Sequence, residues 1–289
     1  MALSAHAQRA AQLLDWKRYP EAIRETEDWI RDDPDFDAPY AFMGRIFLKQ
    51  ERYEEALHWA NEALRLNPAS ELGWFVRVNL FYDQKNYFQF HRDVKEARRI
   101  DPTEPHYPYL LFNVYHKEGQ VSDARAALKE ALSLDPENAL YLASLSYLEA
   151  NCQNDPASVE AEEAALRINP EGPLVFLYLG WAAHVRRDYK KETLYMENAV
   201  RLNPENKQIR DEYLGSLQNR YWIYRVLHLP TSTRKLKRWQ LYLSWFLCVI
   251  LLRQFVLLLV LLYALAAIAS RVFVRARVFG WRSLFRKRQ

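Results

Sequence analysis

Hydrophobic and polar positions along residues 1–206 repeat with a period of 34, and proline marks the period. Pro34, Pro68, Pro102, Pro136, Pro170 and Pro204 each follow the last by 34 residues, and each is preceded by Asp or Asn: Asp33, Asn67, Asp101, Asp135, Asn169, Asn203. Proline disfavours the helical conformation in the residue ahead of it, so every Asx-Pro pair ends one helix and opens a turn. Within a period, small residues such as Gly44, Ala56 and Ala63 let two antiparallel helices approach, while Phe47 and Tyr53 fill the space beside them. One helical pair cannot bury its apolar face alone, so the pairs must stack. The pattern predicts six helix-turn-helix units over 3–36, 37–70, 71–104, 105–138, 139–172 and 173–206. A capping helix is predicted over 207–220, with Ile209, Tyr213, Leu214 and Leu217 on one side.

Some positions depart from the pattern. Phe90 stands where the third unit should carry a small residue, Ser158 and Glu162 fall on packing positions of the fifth, and Glu192 does so in the sixth. Altered stacking is expected there. Asp155-Pro156 predicts an N-cap followed by proline at the first helical position of the fifth unit's second helix.

Beyond 220 the pattern changes. A basic and aromatic linker over 221–240 leads into an almost wholly apolar stretch, Leu241 to Ala269, interrupted only by Arg253 and Gln254. As one helix it measures about 44 Å at ~1.5 Å per residue, enough to cross a bilayer with an arginine near mid-depth. As a hairpin turning at Arg253-Gln254, it keeps both basic flanks on one side, as the positive-inside rule asks. From 270 to 289, Val274, Val278, Trp281 and Phe285 recur at helical spacing opposite Arg271, Arg275, Arg282 and Arg286, predicting a basic amphipathic helix at the interface. Trp222, Trp239, Tyr242 and Trp245 are placed in the aromatic belt on the approach.

Charge sharpens this division. Residues 1–206 carry 24 Lys/Arg against 34 Asp/Glu, and residues 207–289 carry 16 against 2. Because the basic residues bracket an apolar run, the expected counterpart is an anionic lipid membrane and no nucleic acid. Two cysteines far apart, Cys152 and Cys248, offer neither a disulfide framework nor a metal site. The N-terminus lacks the apolar core of a secretory signal, so the repeats are expected in the cytoplasm. The seven histidines are scattered and no glycine-rich phosphate loop or nucleophile motif appears, so no catalytic residue, metal or cofactor is expected.

Tyr40, Met43, Gly44, Phe47, Tyr53, Ala56, Ala60, Ala63 and Pro68 together make the second unit resemble the tetratricopeptide repeat, and the likeness extends over about 1–206. The resemblance implies an all-α, right-handed superhelical solenoid whose first helices line a concave groove. Its inward positions are the second, fifth, ninth, twelfth and thirteenth of each repeat. Carried over, they give Arg45, Lys49, Phe75, Asn79, Tyr82, Tyr109, Asn113, His116, Lys117, Tyr147, Trp181 and His184 as the expected peptide- or protein-binding groove. Asn79 and Asn113 share one position in adjacent repeats and are expected to form a short amide ladder for an extended ligand. Arg45, Lys49 and Lys117 are suited to a carboxylate, and Phe75, Tyr82, Tyr109 and Trp181 to flat anchors. The full clamp of chaperone-binding members is missing. The chain is also similar to bacterial tetratricopeptide proteins with C-terminal membrane segments, which implies an adaptor at the inner membrane with cytoplasmic repeats. The competing reading is a structural membrane protein that forms homo-oligomers and uses its repeats as spacers.

Overall fold

A computed structural model of the chain describes residues 5–169, 171–219, 246 and 256–279, with side chains of the last stretch described over 260–274. The described residues contain fourteen α-helices longer than one turn. The chain divides into two compact units, Met1–Pro136 and Glu137–Gln289.

The first unit holds α1 (Ala5–Asp15), α2 (Tyr19–Asp32), α3 (Asp37–Lys49), α4 (Tyr53–Leu66), α5 (Glu71–Asp83), α6 (Tyr87–Ile100), α7 (His106–Glu118) and α8 (Val121–Leu134). Odd and even helices pair as hairpins, α1 with α2 through α7 with α8, and successive hairpins pack on one another. The second unit holds α9 (Ala139–Asn151), α10 (Asp155–Ile168), α11 (Pro173–Val185), α12 (Tyr189–Leu202), α13 (Lys207–Asn219) and α14 (Val256–Phe279). Here α9 pairs with α10, α11 with α12, and α13 closes against α12.

Each Asx ahead of proline is the C-cap of an even-numbered helix, with φ between −141° and −122° and ψ between 70° and 100°; Asp101 is representative at φ −122°, ψ 92°. Its side chain then holds the turn: Asn67 Oδ1 accepts from the Ala69 amide at 3.0 Å and Asp101 Oδ1 from the Thr103 amide at 3.0 Å. The turn inside each hairpin has its own 34-residue regularity. Lys17, Glu51, Lys85, Gly119, Gln153 and Arg187 all have positive φ, between 58° and 77°. The next residue donates its amide to the carbonyl five positions back, as Asn86 does to Phe81 at 2.9 Å, closing a Schellman turn. Only one of the six positions is glycine.

Close approach of α3 and α4 depends on Gly44. A Cβ there would stand 3.1 Å from the Ala56 carbonyl oxygen and 3.2 Å from the Ala60 amide, both rigid backbone atoms. Phe90 is fully buried and tilts against Tyr82, with ring centroids 5.8 Å apart, so the large residue at a small position is absorbed within the unit.

The polar residues at packing positions are also buried, and each is bonded, although Glu192 bonds through Oε1 alone and its Oε2 has no partner among the described residues. Glu162 is 1% exposed; its Oε2 pairs with Arg186 Nη2, and Oε1 accepts from Lys191 Nζ at 2.6 Å and Tyr195 OH at 2.8 Å. Arg186 Nη1 also donates to Ser158 Oγ, which itself donates to the Ser146 carbonyl at 2.7 Å. The hairpins α9–α10 and α11–α12 therefore meet across a satisfied polar network. The N-cap expected at Asp155 lies one residue earlier: Asn154 is the cap, without a side-chain capping bond, and its Nδ2 donates to Glu149 Oε2 at 3.0 Å.

Among the described residues no helix is long and apolar enough to cross a membrane. α14 does run unbroken past Ala269, where an apolar segment and an interfacial helix were expected to meet. It touches α13, with Val274 buried, yet Val260, Leu261, Leu262, Leu265, Ile268, Val272 and Phe273 are exposed along it. Arg271 is exposed as well. Trp222, Trp239, Tyr242, Trp245, Trp281, Arg282 and Arg286, and the Arg275 side chain, lie outside the described residues, as does the first apolar half, 241–252, apart from the exposed Phe246.

Candidate functional site

The expected groove residues of the first unit sit on the odd-numbered helices, and those of α5 and α7 meet through a pair that includes one further residue. Asn79 donates its Nδ2 to the Phe75 carbonyl one turn back at 2.8 Å, which fixes the amide and turns Oδ1 outward. His106 Nε2 lies 2.8 Å from that Oδ1. An acceptor faces the ring nitrogen, so Nε2 carries the proton and Nδ1 is left as the acceptor of a neutral imidazole. Burial pushes the His106 pKa down to about 4, with the charge of Lys49 adding to the fall. Phe75 lies against the same ring, centroids 5.2 Å apart.

Other predicted residues on α3, α5 and α7 have different surroundings. Tyr109 is only 7% exposed and packs on Phe112 at 5.9 Å, so it belongs to the core and not to an open anchor. Tyr82 is half-buried; desolvation, with Tyr109 next, pushes its pKa up to about 12. His116, half-buried against Phe112 at 5.7 Å, has a pKa lowered by burial. Asn113 is half-buried on α7. Lys49 is exposed at the end of α3, and the Arg45 guanidinium lies 5.9 Å from the Phe42 ring centroid. Lys117 donates to Tyr87 OH at 2.9 Å, which commits it to the preceding hairpin.

In the second unit Tyr147 and Trp181 come together with Tyr178, which was not anticipated. Tyr147 is 5.6 Å from Trp181 and 6.1 Å from Tyr178, and Tyr178 meets Trp181 edge-on at 5.1 Å. His184 has its Nδ1 3.1 Å from Glu192 Oε1, which also accepts from Asn219 Nδ2 at 2.9 Å. The hydrogen bond to Glu192 raises the His184 pKa. His184 therefore helps fasten α13.

The expected amide ladder thus takes another form. Asn79 uses its donor on its own helix and its acceptor on His106, so a ligand would meet a histidine–amide pair flanked by Phe75 and the Lys49 charge. His106 could have been found, because it occupies the second position of its repeat, one of the inward positions. Among the described residues no group of three or more His, Cys, Asp or Glu side chains is placed to hold a metal ion.

Two segments, 38–70 and 109–173, match models described as tetratricopeptide repeat. Among solved structures the chain is similar to a chain of the APC/C hetero-tetramer Cut9–Hcn1, at 15% identity and a TM-score of 0.64, over 80% of this chain and 47% of that one. It thus spans about half that chain's length. It is also similar to a tetratricopeptide repeat protein of Parabacteroides merdae (11% identity, 72% of this chain and 81% of that one, TM-score 0.59). A third similar structure is that of Pseudomonas aeruginosa pilF (15% identity, 72% and 94%, TM-score 0.57). At these identities the likeness establishes the fold: an all-α solenoid carrying tetratricopeptide repeats. Curated protein sequences give no match.

Proposed function

We propose that the chain is a non-enzymatic adaptor that binds an extended segment of a partner protein along α5 and α7 of its first unit and is held at a lipid surface by its C-terminal end. The observation that carries the binding half is the neutral His106–Asn79 pair between α5 and α7, flanked by Phe75 and near Lys49. With Asn79 engaged on the Phe75 carbonyl and on His106, it offers a peptide the remaining acceptor at His106 Nδ1, a flat apolar contact and one cation, the mixture that peptide sites use. Stacked helical repeats present such rows on a rigid frame.

The membrane half rests on α14. Six large apolar side chains between 260 and 273 that are more than half exposed make a surface that water does not favour and lipid does. The basic residues clustered beyond 270 in the sequence supply attraction to anionic head groups. An inner-membrane location with the repeats in the cytoplasm completes the proposal.

Affinity capture from detergent-solubilised native membranes tests it. Wild-type chain, a Phe75→Ala/His106→Ala variant and a chain ending at residue 220 are compared. The partner should be retained by the truncated chain and lost by the double variant, and flotation with anionic vesicles should show the reverse dependence. A partner captured equally by the double variant would remove the groove from the proposal.

A further inference from the structure

The first unit carries a second candidate site, away from the residues just described. Residues 1–136 hold 18 Lys/Arg against 23 Asp/Glu, yet α6 alone holds Arg92, Lys95, Arg98 and Arg99. Of its two acidic residues, Asp93 is 2% exposed and held by Arg77 through Nε at 2.9 Å and Nη2 at 3.1 Å, so it is neutralised inside the unit. Phe88, Arg92, Lys95 and Arg99 follow at intervals of four, three and four, which places them on one stripe of the helix. All four are exposed, Phe88 at 80%.

Beside this stripe, α6, α7 and the start of α8's last turn enclose a cleft of about 380 Å³. Lys95, Arg98 and Arg99 supply its cations, and Arg98 is bonded to Glu130 on the far wall. Arg99 is shared with Glu96 at 3.0 Å, whereas Lys95 makes no ion pair among the described residues. The rest is flat or apolar: His91 stacks on Tyr115 with centroids 5.8 Å apart, and Leu111 lines the same space.

We infer that this cleft is a docking site for an acidic segment of a partner protein, with carboxylates on Lys95 and Arg99 and a neighbouring apolar side chain against Leu111 and Tyr115. Charge complementarity selects the acidic partner: an exposed cationic row on an otherwise acidic unit repels basic segments and attracts acidic ones. The concavity and the carboxylate of Glu130 inside it suit a discrete side chain better than a flat bilayer, which would press on the stripe and leave the cleft empty. The site needs neither Phe75 nor His106 and does not rest on the groove.

The test is fluorescence anisotropy of the full chain in detergent with a short labelled peptide of alternating Asp and Leu. An Asn/Leu peptide, inorganic phosphate as competitor, and phosphatidylserine vesicles serve as controls. The Asp/Leu peptide should bind and the Asn/Leu peptide should not, and Lys95→Glu/Arg99→Glu should weaken binding about tenfold, as expected for losing two partly exposed ion pairs. Lys95→Gln alone should have a smaller effect in the same direction, raised salt should weaken binding, and Phe75→Ala should leave it unchanged. Equal affinity of the double-reversal variant, with circular dichroism showing it folded, overturns the inference. So does peptide binding abolished by Phe75→Ala alone, or displacement by phosphate alone. So too does α6-dependent capture on the vesicles without peptide binding.

Discussion

The polar network between α9–α10 and α11–α12 makes a quantitative claim about how the second unit holds together. Glu162 is 1% exposed and the Arg186 side chain 6%, so the pair is desolvated and each partner relies on the other. Replacing Arg186 by Met removes the cation and leaves the carboxylate with Lys191, whose side chain is 42% exposed, and the Tyr195 hydroxyl. Breaking a buried pair by deleting one partner costs about 3–5 kcal/mol. With two partners left, the lower end, about 3 kcal/mol, is expected here. Removing the whole polar set with Glu162→Leu/Arg186→Met/Tyr195→Phe leaves no orphan: Ser158 keeps its bond to the Ser146 carbonyl, and Lys191 turns to water. That triple variant should lie within about 1 kcal/mol of wild type, since apolar replacement of a buried ion pair is often neutral. Stacked repeats need not unfold in one step, so the assay is native-state hydrogen exchange read at α10 and α12 amides. A single variant that changes opening free energy by less than about 1 kcal/mol would mean the pair is hydrated and the reasoning wrong. A triple variant as unstable as the single would place the effect in packing and not in charge.

Further predictions concern turns, helix contacts and titration. Gly119→Ala should destabilise by about 1 kcal/mol through backbone strain alone, because φ is 77° and a Cβ there meets nothing within 4 Å; denaturant midpoints of the two proteins check it. Gly44→Ala should cost about 1–3 kcal/mol, since its new methyl meets backbone, whereas Gly180→Ala should cost less because it meets only the movable end of Met196. The folded-state pKa of His106 is lowered to about 4. As pH falls below the ordinary histidine value, the unfolded chain takes up the proton first, so stability declines from about pH 6.5 down to about pH 4 and levels off below that; ring nitrogen shifts in NMR should report a neutral Nε2–H form at pH 7. His184 runs the other way: its pKa is raised by Glu192, so its contribution is full below the ordinary value and is lost as pH rises through the higher folded value, with faster amide exchange in α13 as the readout.

The hairpin frame was legible because its punctuation is strict: even-numbered helices begin at 19, 53, 87, 121, 155 and 189, each 34 residues on. The left-handed turn position was hidden, although it is equally regular. Its signal is glycine, and five of the six positions carry Lys, Glu, Gln or Arg, tolerated because the Schellman hydrogen bonds hold them. Ser158, Glu162 and Glu192 read as defects in a packing pattern, because their partners lie on other helices, 24 to 33 residues away for Glu162. The position rule named Asn79 and Phe75 as inward-facing but could not say that the amide would be spent on Phe75 and His106. That depends on how α5 and α7 are rotated against each other, which spacing alone does not specify. The burial of Tyr109 against Phe112 follows from the same rotation.

Charge counting shows where a one-dimensional reading runs short. The excess of acid over base in residues 1–206 describes every carboxylate as if it faced a partner. Asp93 and Glu162 do not: each is buried and neutralised by an arginine of a different helix, so neither contributes to the outer field. Pairing inside the first unit also decides which cations remain outside. Arg77 is drawn inward to Asp93 and Asn61 and lies over Trp74 at 5.3 Å, whereas on α6 Arg98 and Arg99 pair only with the less buried Glu130 and Glu96. Asp93→Asn would leave Arg77 without its carboxylate and α6 with one more positive charge than before. An acidic peptide at the α6 cleft should then bind no more weakly than to wild type, even though the unit itself is destabilised. Stability and binding moving in opposite directions would separate an electrostatic surface from a merely well-packed one.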